Sequence, residues 1–207
     1  MKYVPDIMVV SGKERHSGWS KVIDDETYIL CFLRDPVKLA CSLYAYFQLE
    51  KIDPKIHIEG GKDYVTKEIA QNLVINKEDF LKWIEHATDW HNIQAKNFLI
   101  SDNLLENIRS VKIDKELLYN RLNRVNLLVK SDHMKKWGAK NVLLQLSYDL
   151  HRAIYPQSYE DSHKYSNPAS LNLYRSLTDE DKEFVLKFFD IDNEIYNSDK
   201  LKYLEFI

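Results

Sequence analysis

Arg34 and Ser42 stand eight positions apart, with Asp35 and Pro36 directly after the arginine. A guanidinium offers a planar, charge-assisted fork and a serine hydroxyl a single donor, so the two together can hold one phosphate if the backbone brings them to a common mouth. Lys38 lies four residues before Ser42 and shares its helix face if that stretch is helical. The competing reading pairs Arg34 with a carboxylate and leaves Ser42 as a small residue packed against a sheet. A second candidate is His16, set among Lys13, Arg15, Ser17 and Gly18. Histidine has the pKa of a general base for an attacking hydroxyl, a role that contributes about 10²- to 10⁴-fold. The alternative is a histidine exposed on a loop. Metal chemistry finds no support, because no His/Cys cluster has ligand spacing; His86 and His91 are separated by an expected helix break.

The elements that must carry Arg34 can be read from a change of period. Tyr28 to Leu33 is an unbroken apolar run, which suits a strand buried on both faces, as in a parallel sheet under helices. After Pro36 the apolar positions are Val37, Ala40, Cys41, Tyr44 and Phe47, the three-and-four spacing of one helix face. Asp35 is a good N-cap. Pro36 suits the first helical position, where its φ is preset and its missing N–H costs nothing. The result is a strand, a tight turn and a helix that opens beside the strand's carboxyl end, where sheets of this kind bind anions.

At these residues the chain resembles a family. "LRDPVKLACSLYAYF" is similar to the motif with which sulfotransferases bind the 3′-phosphate of 3′-phosphoadenosine 5′-phosphosulfate (PAPS): Arg, Asp or Asn, Pro, then Ser and a following Tyr. The likeness is to the branch that includes uronosyl 2-O-sulfotransferases and related carbohydrate sulfotransferases. Three further stretches agree in order. "GKERHSGW" resembles the segment with the catalytic histidine, "DWHNIQAKNFLI" the Asn-x-Gln-Thr-Arg-x-Leu helix, and "NPASLNLYRSLTDEDKEFVLKFFDIDNEIY" the C-terminal pattern that ends in Asp-x-x-x-Tyr. The resemblance runs from about Val9 to Tyr196.

It implies an α/β fold of the P-loop-NTPase-like sulfotransferase type, a small parallel sheet flanked by many helices. It implies sulfuryl transfer from PAPS to a hydroxyl of a carbohydrate, with PAP as product and no metal. Arg34 and Ser42 would grip the 3′-phosphate, His16 would be the base, and Lys13 and Arg15 would offer charge to a loose transition state. In the late loop "HKYSNPAS", Lys164 and Ser166 would face the adenine and 3′-phosphate by position; a solvated loop is the other reading. The family's opening Pro-Lys-x-Gly-Thr-type loop, which wraps the 5′-phosphosulfate, has no counterpart in these 207 residues. This leaves three expectations open: a chain that continues upstream, a misplaced start, or a nonenzymatic relative that binds nucleotide or glycan through a partial site.

Length and composition set the frame. A chain of 207 residues suits a single domain, 1–207, and 44% hydrophobic with 12% aromatic residues excludes a disordered chain. A formal charge of −3 gives no global basic field and no support for nucleic-acid binding. Lys130, Lys135, Lys136 and Lys140 read as a solvated helix face or a local basic patch. Cys31 and Cys41 read as small core residues. No signal peptide or transmembrane run is present, so a cytoplasmic setting is the default, or the Golgi lumen for a fragment of a eukaryotic enzyme.

The remaining pattern predicts a first strand over 6–10, a loop from 52 to 64, and helices over 77–87, 90–100 and 114–123, the first two opened by Asn76 and Asp89. A second buried strand is predicted over 125–129, a segment 131–137 closed by Gly138, and a helix over 139–154. A polar loop over 157–176 and a helix to Phe189 with a Thr178/Asp181 capping box complete it. Trp83, Trp90 and Trp137 could stack on a sugar, but aromatics on helices are more often core.

Overall fold

The computed structural model describes residues 28–52, 72–100, 110–132, 142, 144–149 and 168–204. Within them the chain is mostly helical around a small parallel sheet of two strands, an α/β arrangement. Strand β1 (Leu30–Leu33) runs into helix α1 (Pro36–Ile52), followed by α2 (Lys77–His86), a 3-10 turn over Thr88–Trp90, α3 (Ile93–Leu99) and α4 (Lys115–Asn123). Strand β2 (Leu127–Lys130) then pairs with β1 in parallel, with Leu30 opposite Leu127 and Leu33 opposite Lys130. Helices α5 (Pro168–Ser176), α6 (Asp179–Leu186) and α7 (Asp190–Tyr196) follow. Past α7, Tyr203 adds a parallel bridge to Leu128.

Alternation along the strands divides the core. Leu127 and Val129 point to one side, with Val142, Tyr28 and Leu30. Leu33 and Leu128 point to the other, against Ala95 and Phe98 of α3, Leu118 and Leu122 of α4, and Ile195 of α7. Helix α1 packs most extensively on α5 and also touches α2, α6 and α7. Its stripe of Val37, Ala40, Cys41 and Tyr44 meets Phe80 and Ile84, Leu173 and Leu177, and Val185 and Phe189. Burial of Phe80 and Phe189, both fully enclosed, contributes roughly 1.5–3 kcal/mol each. Trp83 and Trp90 belong to this packing: Phe47 lies 5.9 Å from the first ring and 5.0 Å from the second.

Several sequence expectations hold at their caps. Asp35 accepts from the Lys38 N–H at 2.9 Å and Asn76 from Asp79 at 3.1 Å; Asp114, expected inside its helix, is instead the N-cap and accepts from Leu117 at 3.0 Å. The Thr178/Asp181 capping box forms reciprocally, at 3.2 and 2.9 Å. Other expectations are corrected. Phe32 is 43% exposed, so β1 is not buried on both faces; β2, whose first three residues are all buried, is the enclosed strand. Asp89 does not open the next helix, because a 3-10 turn intervenes and α3 begins after Asn92, which takes a left-handed φ of 51°. Residues 168–176 are helix α5 and not loop: Pro168 occupies its first position, and Ala169, Leu173 and Leu177 form a buried stripe at four-residue spacing. The helix from Asp179 ends at Leu186, and a turn leads to α7. The expected strand over 6–10, Gly138 and Trp137 lie outside the described residues.

Candidate functional site

Parallel pairing of β1 and β2 sets their carboxyl ends side by side, so Arg34 and Asp35 leave one strand where Ser131 and Asp132 leave the other. The backbone of Arg34 is held by a side chain. Gln94 of α3 accepts from the Arg34 N–H at 2.8 Å and donates its amide N–H to the Arg34 carbonyl at 2.9 Å. A primary amide offers both a donor and an acceptor, so it stands in for a neighbouring strand at the point where the sheet ends. Gln94 is only 8% exposed.

Gln94 is itself fixed from beyond. Its backbone N–H and that of Ala95 donate to the two carboxylate oxygens of Asp192, at 3.0 and 2.7 Å. Asp192 lies fully buried on α7, and thus caps the start of α3 from another helix. The favour is returned: Asn92, at the start of α3, accepts from the N–H groups of Ile191 and Asp192 at 3.0 Å each and donates to Asp190 at 2.8 Å. The left-handed backbone of Asn92 frees its side chain for α7, and the amides it would ordinarily have capped go to Asp192. Burial pushes the Asp192 carboxyl up to about 6, against the pull of the Ala95 and Gln94 amides.

The second hub is Asp132. It accepts from the Asp35 N–H at 3.2 Å, from the Lys38 ammonium at 2.8 Å and from the Tyr196 hydroxyl at 3.1 Å. Burial opposes the Asp132 charge, but these donors outweigh it and hold the carboxyl below its usual range. Burial likewise would lower Lys38, and the Asp132 hydrogen bond and charge overcome it, so the ammonium is held above its ordinary value. Lys38 also lies over the Tyr174 ring at 5.3 Å. Beside this group Lys130 sits between the rings of Tyr196 and Tyr203, 4.6 Å from each centroid, and burial lowers its pKa.

This arrangement distributes the sequence candidates unequally. Two of the N–H groups at the entry to α1, those of Asp35 and Lys38, are already taken by Asp132 and Asp35, and Lys38 is spent on Asp132. An anion arriving at this turn therefore meets Arg34. Among the described residues no carboxylate forms an ion pair with the Arg34 guanidinium. Ser42 is half-buried, two turns along α1. His16, Lys13, Arg15, Lys164 and Ser166 lie outside the described residues. His91 bonds to the Ile84 carbonyl at 2.6 Å and packs on Phe188, a core role, and the described residues contain no cluster able to hold a metal.

Gln94 and Asp132 are the residues that sequence reasoning missed as parts of this site; Lys130, read as a solvated helix face or a local basic patch, is instead the last residue of β2. For Gln94 the signal was present, since it lies within "NIQAK", quoted for its pattern and not for its target. Asp132 carried only its position two residues past a strand. No helix among the described residues is long and apolar enough to cross a membrane. The chain matches no family model, and no curated protein or solved structure matches it.

Proposed function

We propose that this chain is a PAPS-dependent sulfotransferase that transfers a sulfuryl group to a hydroxyl, of a carbohydrate by the branch it resembles, in a P-loop-like sulfotransferase fold. Arg34 and Ser42 hold the 3′-phosphate of PAPS and of its product PAP, Lys164 and Ser166 contribute where the late loop wraps the adenine and 3′-phosphate, and His16 takes the acceptor's proton. One observation carries the reading. Three stretches distant in sequence, each resembling a different family segment, meet through hydrogen bonds at one turn: Arg34 to Gln94, Gln94 to Asp192, and Asp35 through Asp132 to Tyr196. Gln94 belongs to the Asn-x-Gln stretch, and Asp192 and Tyr196 are the two ends of the Asp-x-x-x-Tyr pattern.

The test is a calorimetric titration with PAP. Replacement of Arg34 by Ala removes a charge-assisted contact and is expected to weaken PAP binding by more than tenfold, about 1.4 kcal/mol or more. Equal affinity in both proteins would refute the assignment. His16→Ala is expected to leave PAP binding intact and to abolish transfer from PAPS. A second reading is a nonenzymatic protein that binds nucleotide or glycan; Arg34-dependent PAP binding without transfer to any acceptor would select it.

A further inference from the structure

We infer that Gln94 is the positioning residue of the Arg34 site: its side-chain amide, gripping both backbone polar groups of Arg34, sets the direction in which the guanidinium meets a phosphate. This rests on the reading of Arg34 as the phosphate ligand and goes beyond it, because Gln94 touches no ligand itself.

Three observations converge. Arg34 is the first residue past β1, where the ladder to β2 ends at the Leu33–Lys130 pair and the next N–H and C=O have no strand partner. Gln94 supplies both, at 2.8 and 2.9 Å, and so clamps the peptide units on either side of the Arg34 Cα. Fixing both units fixes the direction of the Cα–Cβ bond, and with it the cone the long arginine side chain can sweep. The clamp does not drift, since Gln94 is buried and its own N–H is tied to Asp192 at 3.0 Å. A primary amide meets both needs with one planar group. A carboxylate would accept from the Arg34 N–H but repel its carbonyl, and an ammonium would do the reverse. Arginine has many rotamers, and an ordered backbone reduces what must be lost when it closes on an anion.

The experiment is a double-mutant cycle read by PAP affinity, with thermal unfolding measured alongside. Gln94→Met keeps the volume and removes both bonds; it is expected to weaken PAP binding about fivefold to tenfold in the Arg34 protein. In an Arg34→Ala background the same change is expected to alter affinity by less than about twofold, since no guanidinium remains to be aimed. A general loss of structure would weaken binding equally in both backgrounds, and that additive result overturns the inference. Should Gln94→Met not fold, Gln94→Glu, which retains the acceptor and loses the donor, is run in the same cycle. It is expected to weaken binding by about threefold or more with Arg34 present and not without it. Arg34-dependent binding that neither Gln94 variant disturbs overturns the inference alone. Wild-type protein that does not bind PAP, or binds it equally without Arg34, overturns the underlying reading and the inference with it.

Discussion

Replacement of Asp192 by Ala removes the acceptor for two buried backbone donors at once. The Gln94 and Ala95 N–H groups lie 3.0 and 2.7 Å from its oxygens and would face an apolar gap. A buried donor left unmet costs about 1–3 kcal/mol, so two cost roughly 2–6, and relief from burying a carboxyl offsets part of this. A net loss of about 2–4 kcal/mol is expected, a large share of the roughly 5–15 kcal/mol of a typical domain. At about 2–4 °C per kcal/mol for a chain of this size, Tm should fall by about 4–16 °C, followed by circular dichroism. The pH dependence adds a sign. Because the folded carboxyl titrates at about 6 and the unfolded one near 3.8, the folded state holds the proton more tightly between those values. The contribution of Asp192 is therefore greatest below about pH 4 and shrinks as pH rises through 6. The gap between wild type and Asp192→Ala should be wider at pH 5 than at pH 7.5. A loss under about 1 kcal/mol, or a gap that widens with pH, would refute the reciprocal capping as a source of stability.

Other outcomes follow from the same geometry. Asp132→Asn keeps the shape but loses the charge that three donors share; a loss of about 1–3 kcal/mol is expected at pH 7 by urea unfolding. The Asp132 carboxyl is held low in the folded state, so its contribution is present above the ordinary carboxylate range and disappears as pH falls through its folded value. The difference between the two proteins should thus close on acidification, and a gap that persists at pH 3 counts against the hub. Thr178→Ala removes one half of the capping box and should cost about 1 kcal/mol, read as a shift of the denaturant midpoint without a change in slope. Cys41 is fully buried and burial pushes its thiol up to about 12, so native protein at pH 8 should resist alkylation at Cys41 and lose that resistance in denaturant.

The β1–α1 unit was legible because everything that defines it is local: the period changes at Arg34, the cap is Asp35 and its target amide is three residues on. The same holds for α2, α4 and the Thr178 capping box. The start of α3 was misplaced for the opposite reason. Its cap comes from Asp192, about a hundred positions away, while the local candidate Asp89 lies within a 3-10 turn. Helix α5 was hidden by its polar surface, since only Ala169 and Leu173 within it are buried. The candidate site was half visible. Arg34 and Ser42 announce themselves by type and spacing, whereas Gln94 acts on a backbone 60 residues distant and Asp132 competes for an amide 97 residues distant, relations that only the fold reveals.

The exchange of caps between α3 and α7 also bears on the order in which the protein is made. Asn92 and Asp192 serve each other across nearly half of the chain, so neither helix start is complete until the ribosome has released residue 192 and its neighbours. Gln94 inherits this delay, and through it so does the Arg34 turn, although β1 and α1 emerge early. A nascent chain thus carries its candidate phosphate grip unfinished until α7 has emerged. Contacts of such long sequence separation are expected to close late and cooperatively, so the Arg34 turn is completed only with α7.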